Sequence, residues 1–229
     1  MDISSTFRSL LGERSDLLVS LESTSADNKI FTQTSLPFTV FLDYLSLSNV
    51  SPEVPSLYLA QEPLLQSFPQ LSEYLLPVPE YVARAGRGDI YSTRLWMGRA
   101  GQTNTPLHKD PNPNLFVQLA GRKRARLFSP EFGSELMGKY SGGGAERKFR
   151  TGDEMMVGKQ KEDLEAAVWS EGVEGGEIVG FETELGAGDG LFIPKGWWHA
   201  VKGVGEGGVN ASVIPSHYIS ELCVSKDTD

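Results

Sequence analysis

A single cysteine, Cys223, stands in 229 residues. No disulfide can therefore close within this chain and no cysteine-built zinc module can form, a usage that agrees with a reducing compartment. Nowhere is there a run of about 18 apolar residues. The opening MDISSTFRSLLGERSD carries acids and arginines where a secretory signal needs a continuous apolar stretch. The expectation is a cytoplasmic or nuclear protein with no membrane partner. Basic residues are outnumbered, 21 Lys and Arg against 30 Asp and Glu for a net charge of −9. That balance leaves no broad basic face for phosphates, so DNA is not expected as a partner. One local cluster, Arg122, Lys123, Arg124 and Arg126, survives inside the acidic total.

What is present suffices for a folded core: 39% hydrophobic against 22% charged residues. Near the start, Ser5 to Leu11 has helical spacing, Leu17 to Leu21 reads as a strand, and Ser23 to Asn28 as a polar turn. Pro37, Phe38, Val40, Phe41, Tyr44 and Leu45 predict a helix. A strand follows at Leu57 to Ala60 and a second helix at Pro63 to Tyr74, and Pro77 and Pro79 close this section. From Ile90 the chain turns to short apolar runs broken by Gly, Pro and Asn, among them NLFVQLAG, KRARLFSP and GLFIPKGWW, the pattern of a β-sandwich or barrel. The Gly-rich acidic stretch 131–184 shows only fragments of periodicity, such as Lys161 to Trp169, and reads as a partly mobile insertion. Without repeats or a dividing linker, the expectation is one domain over 1–229, with a strand and helical section at 1–89 and the β core at 90–229.

Three histidines are present. In Leu107-His108-Lys109-Asp110, an extended backbone points residues two apart the same way, so His108 and Asp110 can offer an imidazole nitrogen and a carboxylate oxygen to one metal. Acids are common enough here that the pair alone carries little weight. His199, at the end of Phe192-Ile193-Pro194-Lys195-Gly196-Trp197-Trp198-His199, supplies the third ligand. Two histidines and one carboxylate leave open positions of the kind that suits non-haem Fe(II) oxygen chemistry. The competing reading makes His108 a turn residue and His199 a core histidine beside two tryptophans. Lys123 bears on the choice. In Lys123-Arg124-Ala125-Arg126-Leu127-Phe128 the period of two sets Arg124 and Arg126 on the solvent face and Lys123 inward with Ala125 and Leu127. An inward ammonium needs an anion, unless it snorkels to water from the strand's mouth.

The run Thr105-Pro106-Leu107-His108-Lys109-Asp110-Pro111-Asn112-Pro113-Asn114, continued through Leu119-Ala120-Gly121-Arg122-Lys123, resembles the first metal-binding strand and following hairpin of the Jumonji-C (JmjC), cupin-8 2-oxoglutarate oxygenases. It is most similar to their arginyl-hydroxylase-like branch. Leu191-Phe192-Ile193-Pro194 with Trp197-Trp198-His199 is similar to the family's distal-histidine strand. Tyr58-Leu59-Ala60-Gln61 and Leu95-Trp96-Met97-Gly98 fall at matching separations. The likeness covers roughly Leu17 to Val213. It implies a mainly β fold, a double-stranded β-helix of the jelly-roll or cupin type with flanking N-terminal helices. It implies Fe(II) held by His108, Asp110 and His199, with 2-oxoglutarate as cosubstrate. Lys123 would meet the distal carboxylate, helped by Tyr58, Thr105 and Asn114, with Trp96 as a pocket wall. The implied activity is hydroxylation of a protein or peptide side chain, with succinate and CO2 as coproducts.

Two departures stand beside the likeness. The chain begins near what would be the second strand of such a domain. Ile214 falls where relatives often turn a polar residue to the cosubstrate; Asn210 is counted with the cosubstrate contacts, Ser212 is the alternative, and strand register decides between them. His217, with no acid two residues on, reads as structural or exposed. Alternatives follow: an inactive JmjC-like binding or scaffold protein, a histone demethylase, or an RNA-base hydroxylase using Arg122 to Arg126. A cupin isomerase or dioxygenase independent of 2-oxoglutarate normally carries an HxH pair, which this sequence lacks. Neither the target nor an oligomeric state is fixed by the sequence.

Overall fold

The structure, a computed structural model, describes residues 3–12, 16–27, 29–74, 90–140, 158–170, 180–205 and 207–217. Helix α1 (Ile3–Leu11) leads into the hairpin β1 (Leu18–Thr24) and β2 (Phe31–Pro37), then α2 (Phe38–Ser46) and β3 (Ser56–Pro63). The helix foreseen from Pro63 to Tyr74 is broken into a single turn, α3 (Leu64–Ser67), and a 3-10 helix (Pro69–Tyr74). Pro69 has no N–H to donate to the turn before it and its ring crowds the preceding carbonyl, so the helix restarts there in tighter form. Pro77 and Pro79 lie outside the described residues.

The core strands are β4 (Ile90–Arg99), β5 (Asn104–Lys109), β6 (Asn114–Ala120), β7 (Arg122–Phe128), β8 (Gly180–Leu185), β9 (Gly190–Ile193), β10 (Trp198–Val204) and β11 (Val209–His217). They build two sheets, a seven-stranded one in the order β2-β1-β3-β4-β11-β6-β9 and a four-stranded one in the order β5-β10-β7-β8. Every pairing is antiparallel. This is a cupin-type jelly roll with flanking N-terminal helices, in which Phe116, Ala125, Leu127, Val201 and Ile214 pack between the sheets.

The stretch 131–184 is not loop throughout. It contributes most of α4 (Pro130–Tyr140), then α5 (Lys159–Trp169) and nearly all of β8. Its parts 141–157 and 171–179 lie outside the described residues. Both helices cover the outer face of the smaller sheet, where Met137, Leu164 and Val168 close over Leu107, Phe128 and Trp198. On the other side α1 and α2 seal the larger sheet with Phe7, Phe38, Phe41 and Leu45 against Leu21, Leu59 and Met97.

Gly133 on α4 is a point where packing overrides propensity. In a free helix, replacing Gly by Ala gains about 1 kcal/mol. Here a β-carbon would be driven into the Trp198 ring, and overpacking of that kind costs about 1–3 kcal/mol. Gly133→Ala is therefore expected to lower the urea midpoint and the melting temperature; a rise in either would show that α4 lifts freely from the sheet.

Candidate metal centre

Two strands bring the centre together. His199 on β10 stands directly opposite His108 on β5 in the antiparallel register, and opposed residues on one face hold their side chains about 5 Å apart. The ring centroids are 4.1 Å apart. Between this pair and Val201↔Thr105 the register shifts, with Ala200 alone on β10 facing Pro106 and Leu107 on β5. That bulge absorbs the extra residue, so Leu107 turns outward to the helices while Thr105 and His108, three apart, both line the interior cavity. Pro106 suits the bulge because it has no ladder N–H to lose.

Asp110 follows just past the end of β5. Its Oδ1 lies 3.8 Å from His108 Nε2 and its Oδ2 3.5 Å from His199 Nε2, and the Asn114 amide donates to Oδ2. The three ligand atoms fall within 4.8 Å of one another. Backbone carbonyls set the tautomers: His108 Nδ1 is 2.8 Å from the Pro106 oxygen and His199 Nδ1 3.3 Å from the Trp197 oxygen. A carbonyl can only accept, so each Nδ1 carries the proton and each Nε2 turns its lone pair toward the carboxylate. Burial, then the neighbouring His199, pushes His108 below the ordinary imidazole range and keeps it neutral. Burial alone would raise the Asp110 carboxyl, but the His199 and His108 side chains beside it and the Asn114 amide hold it below the usual range. Two imidazoles and one carboxylate converging on a single point form a donor set that fits a divalent cation.

The centre opens into a cavity of about 550 Å³ whose walls include Trp96, Phe116 and Ile214. Lys123 also lines it, only 2% exposed, so it does not snorkel. Its Nζ donates to Ser212 Oγ at 2.8 Å and to Tyr58 Oη at 3.4 Å, and it lies over the Tyr58 and Phe116 rings. No ion pair to Lys123 is formed among the described residues, and burial brings its pKa down to about 7. Burial, with Glu22 adding to it, pushes the Tyr58 hydroxyl up against a hydrogen bond with Thr105. Tyr58, Trp96, Thr105, His108, Asp110, Asn114, Lys123 and His199 thus share one cavity.

Asn210 does not join them. Its Oδ1 accepts from Gln118 at 3.0 Å and its Nδ2 donates to the Arg122 carbonyl at 2.6 Å. It supports the tight β6–β7 turn at Gly121, where φ is +68° and a β-carbon would lie 2.7 Å from the Val209 oxygen. Asn210 pairs with Gly98 at the turn end of β11, and Ser212 pairs with Trp96 two residues further along the strand. The β11 side chain that meets Lys123 is Ser212. Glu22, Phe31, Gln33 and Arg94 line the cavity as well. The first three sit in the polar β1–β2 hairpin and Arg94 in β4, with no metal-ligand spacing to mark them. The side chain of His217 lies outside the described residues. On the outer face of β7, Arg122, Arg124 and Arg126 are engaged by Glu182 and Glu184 of β8.

The profile of the Cupin-like domain family matches residues 11–214. This chain belongs to the cupin-like family. It is 32% identical over 170 residues to the Lysine-specific demethylase JMJ30 of Arabidopsis thaliana, a match covering 74% of this chain and 36% of that protein. JmjC domain-containing protein D of Dictyostelium discoideum is 31% identical over 76% of this chain and 39% of its own length. Lysine-specific demethylase 8 of Xenopus tropicalis is 29% identical over 63% of this chain and 30% of its own. The cupin-like chain thus spans roughly a third of the length of these relatives. JmjC oxygenases of this family use Fe(II) and 2-oxoglutarate, and the His108, Asp110, His199 group fits the metal. These matches support the JmjC family without the arginyl-hydroxylase-like branch that the motifs resemble, since the relatives are described as demethylases and JmjC domain proteins. No described helix is long and apolar enough to cross a membrane.

Proposed function

We propose that this chain is an Fe(II)- and 2-oxoglutarate-dependent oxygenase that hydroxylates a side chain of a protein substrate. The observation that carries the reading is the buried ammonium of Lys123, which has no ion-pair partner among the described residues and shares a cavity with the triad. A dicarboxylate with one end at the metal and the other at Lys123 satisfies both at once.

In this reading His108, Asp110 and His199 hold the metal, and Lys123, with Tyr58 and Ser212, receives the distal carboxylate. Thr105 fixes the Tyr58 hydroxyl, and Asn114 fixes Asp110. Trp96, Phe116 and Ile214 exclude water from the face where the target's C–H bond is presented. Fe(II) held there would, with 2-oxoglutarate and dioxygen, supply the oxidising power: one atom of O2 would enter the target C–H bond and the other would end in succinate as CO2 leaves. Demethylation is the second reading, favoured by the names of two relatives. It differs only in that the hydroxylated carbon is an N-methyl group, which then leaves as formaldehyde. Hydroxylation of an RNA base has less support, because the β7 arginines are already engaged by glutamates.

The test incubates the chain with Fe(II), ascorbate, 2-oxoglutarate and pools of candidate proteins, and reads succinate with substrate mass. A gain of 16 Da coupled to succinate is the expected outcome. Formaldehyde with a loss of 14 Da selects demethylation. Metal-dependent 2-oxoglutarate binding with no succinate for any pool leaves the scaffold reading.

A further inference from the structure

Among the described residues the two sheets have four open edges, and three carry the usual defences against pairing with another chain. Strand β5 contains Pro106 and ends in Lys109; β8 presents Glu182 and Glu184; β9 is four residues long. The fourth edge, β2, has none. Its seven residues Phe31-Thr32-Gln33-Thr34-Ser35-Leu36-Pro37 carry no charge, pair with β1 without a bulge, and hold no proline before the last position. Among the described residues nothing pairs with the outer side of β2. Thr32, Gln33 and Ser35 are exposed, on both faces of the sheet.

Apolar side chains gather at its ends. Ile30, immediately before β2, is 60% exposed. Leu18, on the β1 residue paired with Pro37, is 62% exposed, and Val40, on the helix that follows β2, is 47% exposed. A seven-residue, unbulged, uncharged edge with apolar flanks is a template for another strand.

We infer that β2 is the interface of a homodimer, pairing antiparallel with β2 of a second copy about a two-fold axis perpendicular to the sheet. The occupant is a second copy because the edge is self-complementary. An uncharged strand meets its own image without repulsion in a chain whose net charge is −9, and antiparallel self-pairing closes at two copies and leaves no further edge of this kind. The axis sets both metal cavities on the same side of one continuous sheet. Phe31 and Gln33 line the cavity from β2, so the cavity floor of each copy runs on to the partner copy's hairpin.

Analytical ultracentrifugation of the whole chain at tens of micromolar tests this. The expected mass is twice the 25.0 kDa of one chain. Thr32→Lys with Ser35→Lys, which sets like charges on the edge, is expected to shift the species to monomer while retaining the circular dichroism of the folded chain. Thr32→Val keeps the edge uncharged and should stay dimeric. A wild-type monomer at these concentrations overturns the inference and turns the edge to an extended polypeptide, read by peptide binding that the same lysines abolish. A dimer that persists in the lysine variant overturns it equally. These readouts concern mass and do not depend on the proposed activity, so failure of either reading leaves the other standing.

Discussion

Replacing Asp110 by Ala is expected to weaken metal-dependent 2-oxoglutarate binding by at least about a hundredfold and to abolish turnover, since loss even of an outer-shell partner costs about 10–100-fold. Asp110 is the only carboxylate of the donor set, and two imidazoles alone hold a hard divalent ion poorly. The fold should survive. The carboxylate sits beyond the last residue of β5 and its side chain is 31% exposed, while His199 keeps its Trp197 carbonyl contact and His108 its Pro106 contact. The structural loss is the hydrogen bond from Asn114 to the carboxylate, about 1–3 kcal/mol. Anaerobic titration with Fe(II) and 2-oxoglutarate, beside a urea unfolding curve, separates the two effects. Asp110→Asn keeps shape and hydrogen bonding while removing the charge, and should bind metal nearly as poorly as the Ala variant. Full activity in Asp110→Ala would sink the triad.

The parts of this site legible in the sequence were those set by a period of two. Lys123 turns inward because Arg124 and Arg126 occupy the other face of β7, and the burial pattern along the strand bears that out. The pairing of His108 with His199 could not be read from spacing, because it depends on β10 lying beside β5, a contact across ninety-one residues. The residues offered His199 as a third ligand beside a competing core-histidine reading, and motif resemblance favoured the ligand. What stayed hidden was set by irregularities. The β5 bulge at Pro106 and Leu107, which lets Thr105 and His108 face the same cavity, breaks the alternation that sequence patterning relies on. Ser212 was separated from Asn210 only by the register of β11 against β4. Strand β2, polar and without alternation, left no mark at all, although it walls the cavity. Strand β8 and helix α4 were hidden in a Gly-rich acidic stretch whose composition resembles loop, and they are held by contacts with β7 and Trp198 rather than by local pattern.

Lys123→Met is expected to move stability and function in opposite directions. In the ligand-free protein the ammonium is buried among Tyr58, Phe116 and Ser212 with no ion-pair partner in the described residues. A thioether of similar length fills the same space without the desolvation cost, so the variant should unfold at higher urea, by on the order of a few kcal/mol. The sign follows from proton counts. Lys123 has a folded-state pKa of about 7 against 10.5 for the free side chain, so between those values the unfolded chain binds more protons and wild-type stability rises with pH. Below about 7 the burial cost is present in full. The advantage of Lys123→Met should thus be greatest at and below neutrality and shrink toward pH 10. Binding of 2-oxoglutarate runs the other way: above about pH 7 the wild type must take up a proton to meet the carboxylate, and its affinity should fall by up to about tenfold per pH unit. The Met variant, with no charge to offer, should bind at least about a hundredfold more weakly, in line with the 3–5 kcal/mol that removing one partner of a buried charge pair costs. Wild-type affinity in Lys123→Met, or affinity flat from pH 6.5 to 9 in the native protein, would remove Lys123 from the cosubstrate site.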